Sequence, residues 1–495
     1  NHRWRHLRAA HILSMPDAWE YPWFAAWDLA FHCVALALVD VDFAKDQIEL
    51  LLQETYLHPN GQIPAYEWSF GDVNPPVHAW GALKVYRGER VQQGKGDRRF
   101  LQRVFHKLLL NYAWWINRKD RQGQNVFEGG FLGLDNISVF DRSRPLPPGY
   151  TLKQADATGW MAMFALNMTV IALELAIEDG DYENIAIQCY EQFLAIAKAI
   201  SGGDEQGLSL WDLDSGFFKD LLLTPDGRSH RIDVYSWVGL IPLFATEVVD
   251  QRLLQHVPRF RQMLRQHKKG LFQGSYVCAC PDWENDRGEH LLALVDHAML
   301  PHILRRLLNE DEFLSRYGVR SVSKLHAKYQ DLGNLPGIGP SHIRYVPGES
   351  ETGLFGGNSN WRGPVWIPTN YALVQALEKF HRFLGDEFRF EAACLPGETL
   401  TLQEIATLIA ERLVNLFRRD AAGLIPAMRR DSPFQSEPSW KELNLFYEYF
   451  HAETGQGLGA AHQTGWTGLL ANLVMRGYRK DIPVFISYED ESIAD

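Results

Sequence analysis

The chain has 495 residues, 46% of them hydrophobic and 22% charged, with a formal net charge of −12. A chain this apolar can bury a large core. Its acidic balance argues against a nucleic-acid partner, whose phosphates are contacted mostly through Lys and Arg. Sixteen tryptophans, within an aromatic content of 12%, suit core packing and stacking on sugar faces alike.

Cys33, Cys189, Cys278, Cys280 and Cys394 form no even framework, and Cys278/Cys280 lacks a second pair at zinc-site spacing. Buried free thiols in a reducing compartment, the cytoplasm, are expected. No basic segment leads into an apolar leader, and no apolar run of about 18 residues reads as a membrane span. The first residue is Asn1 rather than Met, which leaves room for an upstream segment.

In chain order, nearly all-apolar runs alternate with amphipathic ones. Residues 28–39 read as an inner helix packed on every side, and 43–56 as an outer helix with one wet face. The alternation continues with 75–88 inner and 97–118 outer, then 155–177 inner and 179–200 outer. Residues 235–247 read as inner and 249–267 as outer, with a further amphipathic run at 292–308. Residues 365–380 and 462–476 close the series as inner helices, with 401–419 amphipathic between them. β-Branched alternation is scarce, so no sheet domain is expected. Long loops at 119–150, 201–234, 270–290, 319–364 and 420–460 follow outer-type helices and precede inner-type ones, which gathers them at one rim. The expectation is all-α: a single (α/α)6 toroid over 1–495, its loops forming the active site. Six inner helices are set against about five outer ones.

Several loop clusters carry chemistry. In Phe131-Leu132-Gly133-Leu134-Asp135-Asn136-Ile137-Ser138-Val139-Phe140-Asp141 a carboxyl group sits among apolar side chains, which favours its protonated form. A protonated acid is what glycosidic cleavage needs at the leaving oxygen; the plain alternative is an Asp capping a turn. In Trp19 to Asp28, Trp23 and Trp27 lie four apart and Asp28 can accept from adjacent sugar hydroxyls, or cap the helix. The 61–68 stretch, with Gln62, and Asn74-Pro75-Pro76-Val77-His78 also precede an inner helix. The 347–366 loop holds glycines that admit a ligand, ring faces in Trp361 and Trp366, and the fork of donors of Arg362. It lacks the Gly-Lys-Ser/Thr ending of a phosphate loop. Phe446-Tyr447-Glu448-Tyr449-Phe450 sets a second carboxylate among aromatics, with Glu453 its rival as a base. Asp212-Leu213-Asp214-Ser215-Gly216 lacks the later Glu of a calcium loop and reads as a polar turn.

Glu20 to Asp28, Gly133-Leu134-Asp135-Asn136, Asn360 to Trp366, and Glu448-Tyr449-Phe450 through Gly465-Trp466 together resemble glycoside hydrolase family 63. The similarity is to its bacterial members, beside processing α-glucosidase I and the mannosylglycerate and glucosylglycerate hydrolases. The resemblance runs in order along essentially the whole chain. It implies an (α/α)6 catalytic domain and inverting, exo-acting hydrolysis of a terminal α-linked glucosyl or mannosyl residue, without a cofactor or metal. Carried over by motif, Asp135 is the general acid and Glu448 the general base. Trp23, Trp27, Asp28, Gln62, Trp361, Arg362 and Trp366 form the substrate-binding set, for a small carbohydrate or glycoside. Trehalases share elements of this pattern, but their acid loop reads Gly-Trp-Asp where this one reads Gly-Leu-Asp-Asn. The alternatives are a trehalase-like hydrolase and a non-catalytic sugar-binding protein on the same fold.

Overall fold

The apolar runs become helices that pack in a closed cycle. The computed structural model describes residues 11–16, 24–65, 71–120, 123–202, 208–267, 284–461 and 465–478. Its helices are α1 (Ala26–Leu36), α2 (Val41–Leu50), α3 (His78–Gln93), α4 (Arg98–Lys119), α5 (Ala155–Ala176), α6 (Tyr182–Ile200), α7 (Gln251–His256), α8 (Pro258–His267), α9 (Leu300–Leu307), α10 (Ile367–Leu384), α11 (Leu402–Val414), α12 (Pro433–Ser436) and α13 (Leu470–Tyr478). Helix α1 packs on α3, α3 on α5, and α5 on a 3-10 segment at Ile241–Phe244. That segment meets α10, α10 meets a second 3-10 segment at Gly465–Leu469, and this returns to α1. Outside the cycle, α2 lies against α1 and α3, α4 against α3 and α5, α6 against α5, and α11 against α10 and α13.

Local chemistry sets the ends of several helices. Asp40 and Asp97 accept the amides of Phe43 and Phe100 as N-caps of α2 and α4, and Thr401 with Glu404 forms a capping box on α11. Helix α5 is buried along all 22 residues. It is long and apolar enough to cross a bilayer, which corrects the expectation that no such run exists. Its burial throughout the core makes it an interior helix instead.

Three other expectations change. Residues 235–247 are two 3-10 turns, Trp237–Gly239 and Ile241–Phe244, leading into a strand at Thr246–Val249. Pro242 removes an amide there. Gly239 is pressed so closely against Phe217 and the Phe218 carbonyl that a β-carbon would overlap them. The 292–308 run divides: His290–Ala293 pairs antiparallel with Thr246–Val249, and α9 begins only at Leu300, with Pro301 in its first turn. The 249–267 run is broken at Pro258 into α7 and α8, since the residue before proline is kept out of the helical region. Short ribbons are also more numerous than expected. Among the described residues their strands span two to five residues, and the widest ladder has three strands. Cys33, Cys189 and Cys394 are free thiols; Cys278 and Cys280 lie outside the described residues.

Candidate active site

Three of the long loops converge where α1 and α10 begin. The Asp135 loop turns through two successive left-handed residues, Leu132 (φ 54°) and Gly133 (φ 67°). Only Gly takes that conformation without cost, so Leu132 marks local strain, a feature found at functional sites. Gly133 lies against the Trp27 indole, where a β-carbon would come within 2.7 Å of the ring.

Both flanks of this loop are clamped. On one side the Gln154 amide donates to the Gly130 carbonyl and accepts the Gly130 N–H. The buried Arg142 donates to the Phe131 carbonyl at 3.1 Å and to Asp156 Oδ2 at 2.7 Å. On the other side Arg362 donates to the carbonyls of Asn136 (2.6 Å) and Ser138 (2.8 Å). Asn136 accepts the Trp361 amide at 2.7 Å and donates to Asn360 Oδ1 at 3.1 Å. The guanidinium fork expected to meet substrate is thus committed in part to holding the Asp135 loop.

Burial pushes the Asp135 carboxyl up to about 7, against hydrogen bonds from Ser359 and from its own backbone amide that favour the ionised form. Asp28, in the first turn of α1 and 6% exposed, is also raised, mainly by burial; its backbone hydrogen bond opposes this, and the Asp135 charge adds to it.

Glu448 is brought in by ribbon pairing. Val365 and Phe450 exchange both backbone hydrogen bonds, at 2.8 and 3.0 Å, which lays the Glu448 segment beside Trp366. The Glu448 and Ala460 backbones bond at 3.0 Å, and Glu448 Oε2 accepts the Ala460 amide at 3.3 Å. Gly459 (φ 70°) passes so close that a β-carbon would lie 2.4 Å from Glu448 Oε2. Tyr449 donates its hydroxyl to Glu349 at 3.2 Å. The rival Glu453 is held in a different clamp. Burial raises it, but the Tyr345 hydroxyl at 2.6 Å and the Arg320 guanidinium at 2.9 Å outweigh this and keep it low.

The tryptophans form one buried cluster. Trp361 and Trp366 stack at 3.9 Å, and the other face of Trp366 stacks on Tyr449 at 4.5 Å. Trp27 meets Trp361 at 6.0 Å and Trp466 edge-on at 5.2 Å. Trp361 and Trp366 are both fully buried, Trp366 between two rings. Gln62 is buried in the loop whose Ala65 carbonyl accepts the Ala26 amide at the start of α1. Trp23 lies outside the described residues. Sequence reasoning passed over Arg142, Gln154, Ser359 and Gly459.

Comparison with known proteins places the chain among sugar-cleaving enzymes. The family described as mannosylglycerate hydrolase MGH1-like glycoside hydrolase domain matches residues 21–150 and 290–467, which include Asp135 and Glu448. A Saccharomyces cerevisiae protein, YMR196W, is 46% identical over 490 residues, 96% of this chain and 45% of that protein. A probable mannosyl-oligosaccharide glucosidase of Schizosaccharomyces pombe is 24% identical over 526 residues, 94% of this chain and 51% of the relative. The chain therefore spans about half the length of these curated relatives. The GH63 mannosylglycerate hydrolase from Thermus thermophilus, solved with glucose, aligns with a TM-score of 0.53 at 17% identity, covering 94% of this chain and 96% of that one. Its complex with Tris and D-glycerate aligns at 0.54, also at 17% identity, covering 94% and 97%. The fold is shared with these structures.

Proposed function

Since the chain belongs to the MGH1-like family of glycoside hydrolases within GH63, we propose that it is an inverting, exo-acting hydrolase of a terminal α-linked glucosyl or mannosyl residue. The observation that carries this reading is Asp135, a carboxyl group raised to about 7 by burial and clamped on both flanks, in a loop bonded to the 360–365 segment with which the Glu448 ribbon pairs. The closed cycle of inner elements supports an (α/α)6 toroid, with one inner position occupied by a pair of 3-10 turns.

In the reaction, Asp135 gives its proton to the glycosidic oxygen as the bond from that oxygen to C1 breaks. Water attacks C1 from the opposite face and loses a proton to Glu448. The product is a β-anomer, and exchange with solvent restores both carboxyl groups. Room for the water requires the carboxyl groups to sit about 6.5–9.5 Å apart, against about 5–5.5 Å for a retaining pair. Relatives named for mannosylglycerate and for mannosyl-oligosaccharide substrates support the substrate class. Free thiols at Cys33, Cys189 and Cys394 support a cytoplasmic setting.

The test is a panel of α-linked gluco- and manno-disaccharides and glycosylglycerates, with products followed by NMR. Release of a single terminal hexose by the parent, and loss of it in Glu448→Gln, is the expected result. Sugar binding without turnover across the panel would favour the non-catalytic reading.

A further inference from the structure

A cavity of about 620 Å³, lined by neither Asp135 nor Glu448, opens between the segments around Asp212–Asp233 and Leu325–Leu332. That is within the usual size of small-molecule sites, about 300–1,000 Å³. It includes the Asp212-Leu213-Asp214-Ser215-Gly216 turn.

The polar lining is fixed in place. The Lys219 ammonium, 3% exposed, donates to Asp212 Oδ2 at 2.9 Å and Asp233 Oδ1 at 2.8 Å, 4.7 Å from the centroid of the Tyr235 ring. Arg306 lies over the same ring at 4.2 Å and donates to Glu312 and to the Ser215 carbonyl. His326 Nε2 accepts the Tyr235 amide, so Nδ1 carries the proton it gives to the Tyr329 carbonyl, and the imidazole is neutral. Both cations that face the cavity are therefore compensated. Asp214 and Asp331 add further acceptors, and the Tyr329 ring is 65% exposed.

This chemistry selects by charge. An anionic ligand would meet four aspartates against two cations already paired. A neutral, hydroxyl-rich ligand meets carboxylate acceptors for its hydroxyls and aromatic surface for its C–H face.

A wall of the cavity is joined to the segment that carries Asp135. The hairpin that supplies Asp331 (Asp331–Leu335 with Gly339–His342) turns at Gly337, where a β-carbon would lie 2.5 Å from the Tyr150 ring. Tyr150 ends the segment that carries Asp135, and the neighbouring Gly149 packs on Pro225. A general acid protonates the oxygen that departs with the leaving group, so the leaving group lies on the acid's side.

Resting on the hydrolase reading above, we propose that this cavity is a distal leaving-group subsite. It binds a neutral saccharide extension of the substrate and disfavours an anionic one.

Two variants test it: Tyr329→Ala, and Asp214→Asn combined with Asp331→Asn. The measured quantity is kcat/KM for an α-linked trisaccharide divided by that for the glycosyl fluoride, which has no saccharide leaving group. This ratio should fall at least about tenfold in each variant, as expected when hydroxyl-binding groups are removed. A ratio within about twofold of the parent overturns the proposal, as does a parent enzyme that cleaves an α-linked trisaccharide ending in a uronic acid as well as the neutral one. A second arm needs no turnover. Calorimetry of neutral gluco- and manno-trisaccharides on the Glu448→Gln enzyme should show a binding event that Tyr329→Ala removes; retention of that event, or its absence from Glu448→Gln itself, refutes the subsite. Failure of the hydrolase reading shows separately, as inertness toward both glucosyl and mannosyl fluoride.

Discussion

Asp135 performs a task that its fold makes costly. Its folded-state value near 7 lies above the ordinary carboxylate value of 3.8, so the folded protein holds a proton there that the unfolded chain has lost. The stability contribution is therefore most favourable below about pH 4 and declines as pH rises through 7. Asp135→Asn should raise the melting temperature at pH 8 relative to the parent, measured by scanning calorimetry, and do so less at pH 4. For catalysis the same proton is essential, so kcat/KM for an α-glycoside of a sugar alcohol should fall as pH rises past about 7. Glycosyl fluoride, which needs little protonation, should lose that alkaline limb and be spared in Asp135→Asn. Glu448 and Asp135 were legible as residues because each sits in a contiguous motif. Ser359, which hydrogen-bonds Asp135, was not, because its contact is made only when two distant loops meet.

In the proposed mechanism the Asp135 loop carries the acid, and it is held by arginines on both flanks. Arg362 serves two carbonyls with a planar fork that a lysine cannot reproduce. Arg362→Lys should lower kcat for sugar leaving groups more than for fluoride, since it loosens the acid and leaves the Glu448 side in place. Arg142→Met would strand Asp156 in the core and should cost about 3–5 kcal/mol in urea unfolding. Arg362 could be read from the sequence as a functional donor, but its partners could not. A motif shows what a side chain offers, and the Asn136 and Ser138 carbonyls come within reach only through the crossing of two loops. The 235–247 run misled for a related reason: its apolar content signals burial, which two 3-10 turns satisfy as well as a helix does. Pro242 and the close approach at Gly239 then select the turns.

Across the whole molecule, the alternation of apolar and amphipathic runs was enough to reveal inner and outer elements, because burial on every side and burial on one face leave different periodicities. Proline-set boundaries at Pro258 and Pro301, and the short ribbons, were less visible; strands of two to five residues leave little pattern. A buried charge cluster also escaped notice. Lys379 of α10 donates to Glu247 at 2.6 Å, and Arg87 of α3 approaches the same carboxylate at 3.8 Å. Lys379→Met should destabilise by about 3–5 kcal/mol in denaturant titration while leaving kcat per folded molecule nearly unchanged, since it leaves a buried carboxylate short of a partner. The central claim for the molecule is single displacement by water between Asp135 and Glu448. Its most direct test is proton NMR of the first-formed hexose from an α-glycoside, read before mutarotation. The account predicts the β-anomer as initial product; an initial α-anomer would mean a retaining mechanism and contradict it.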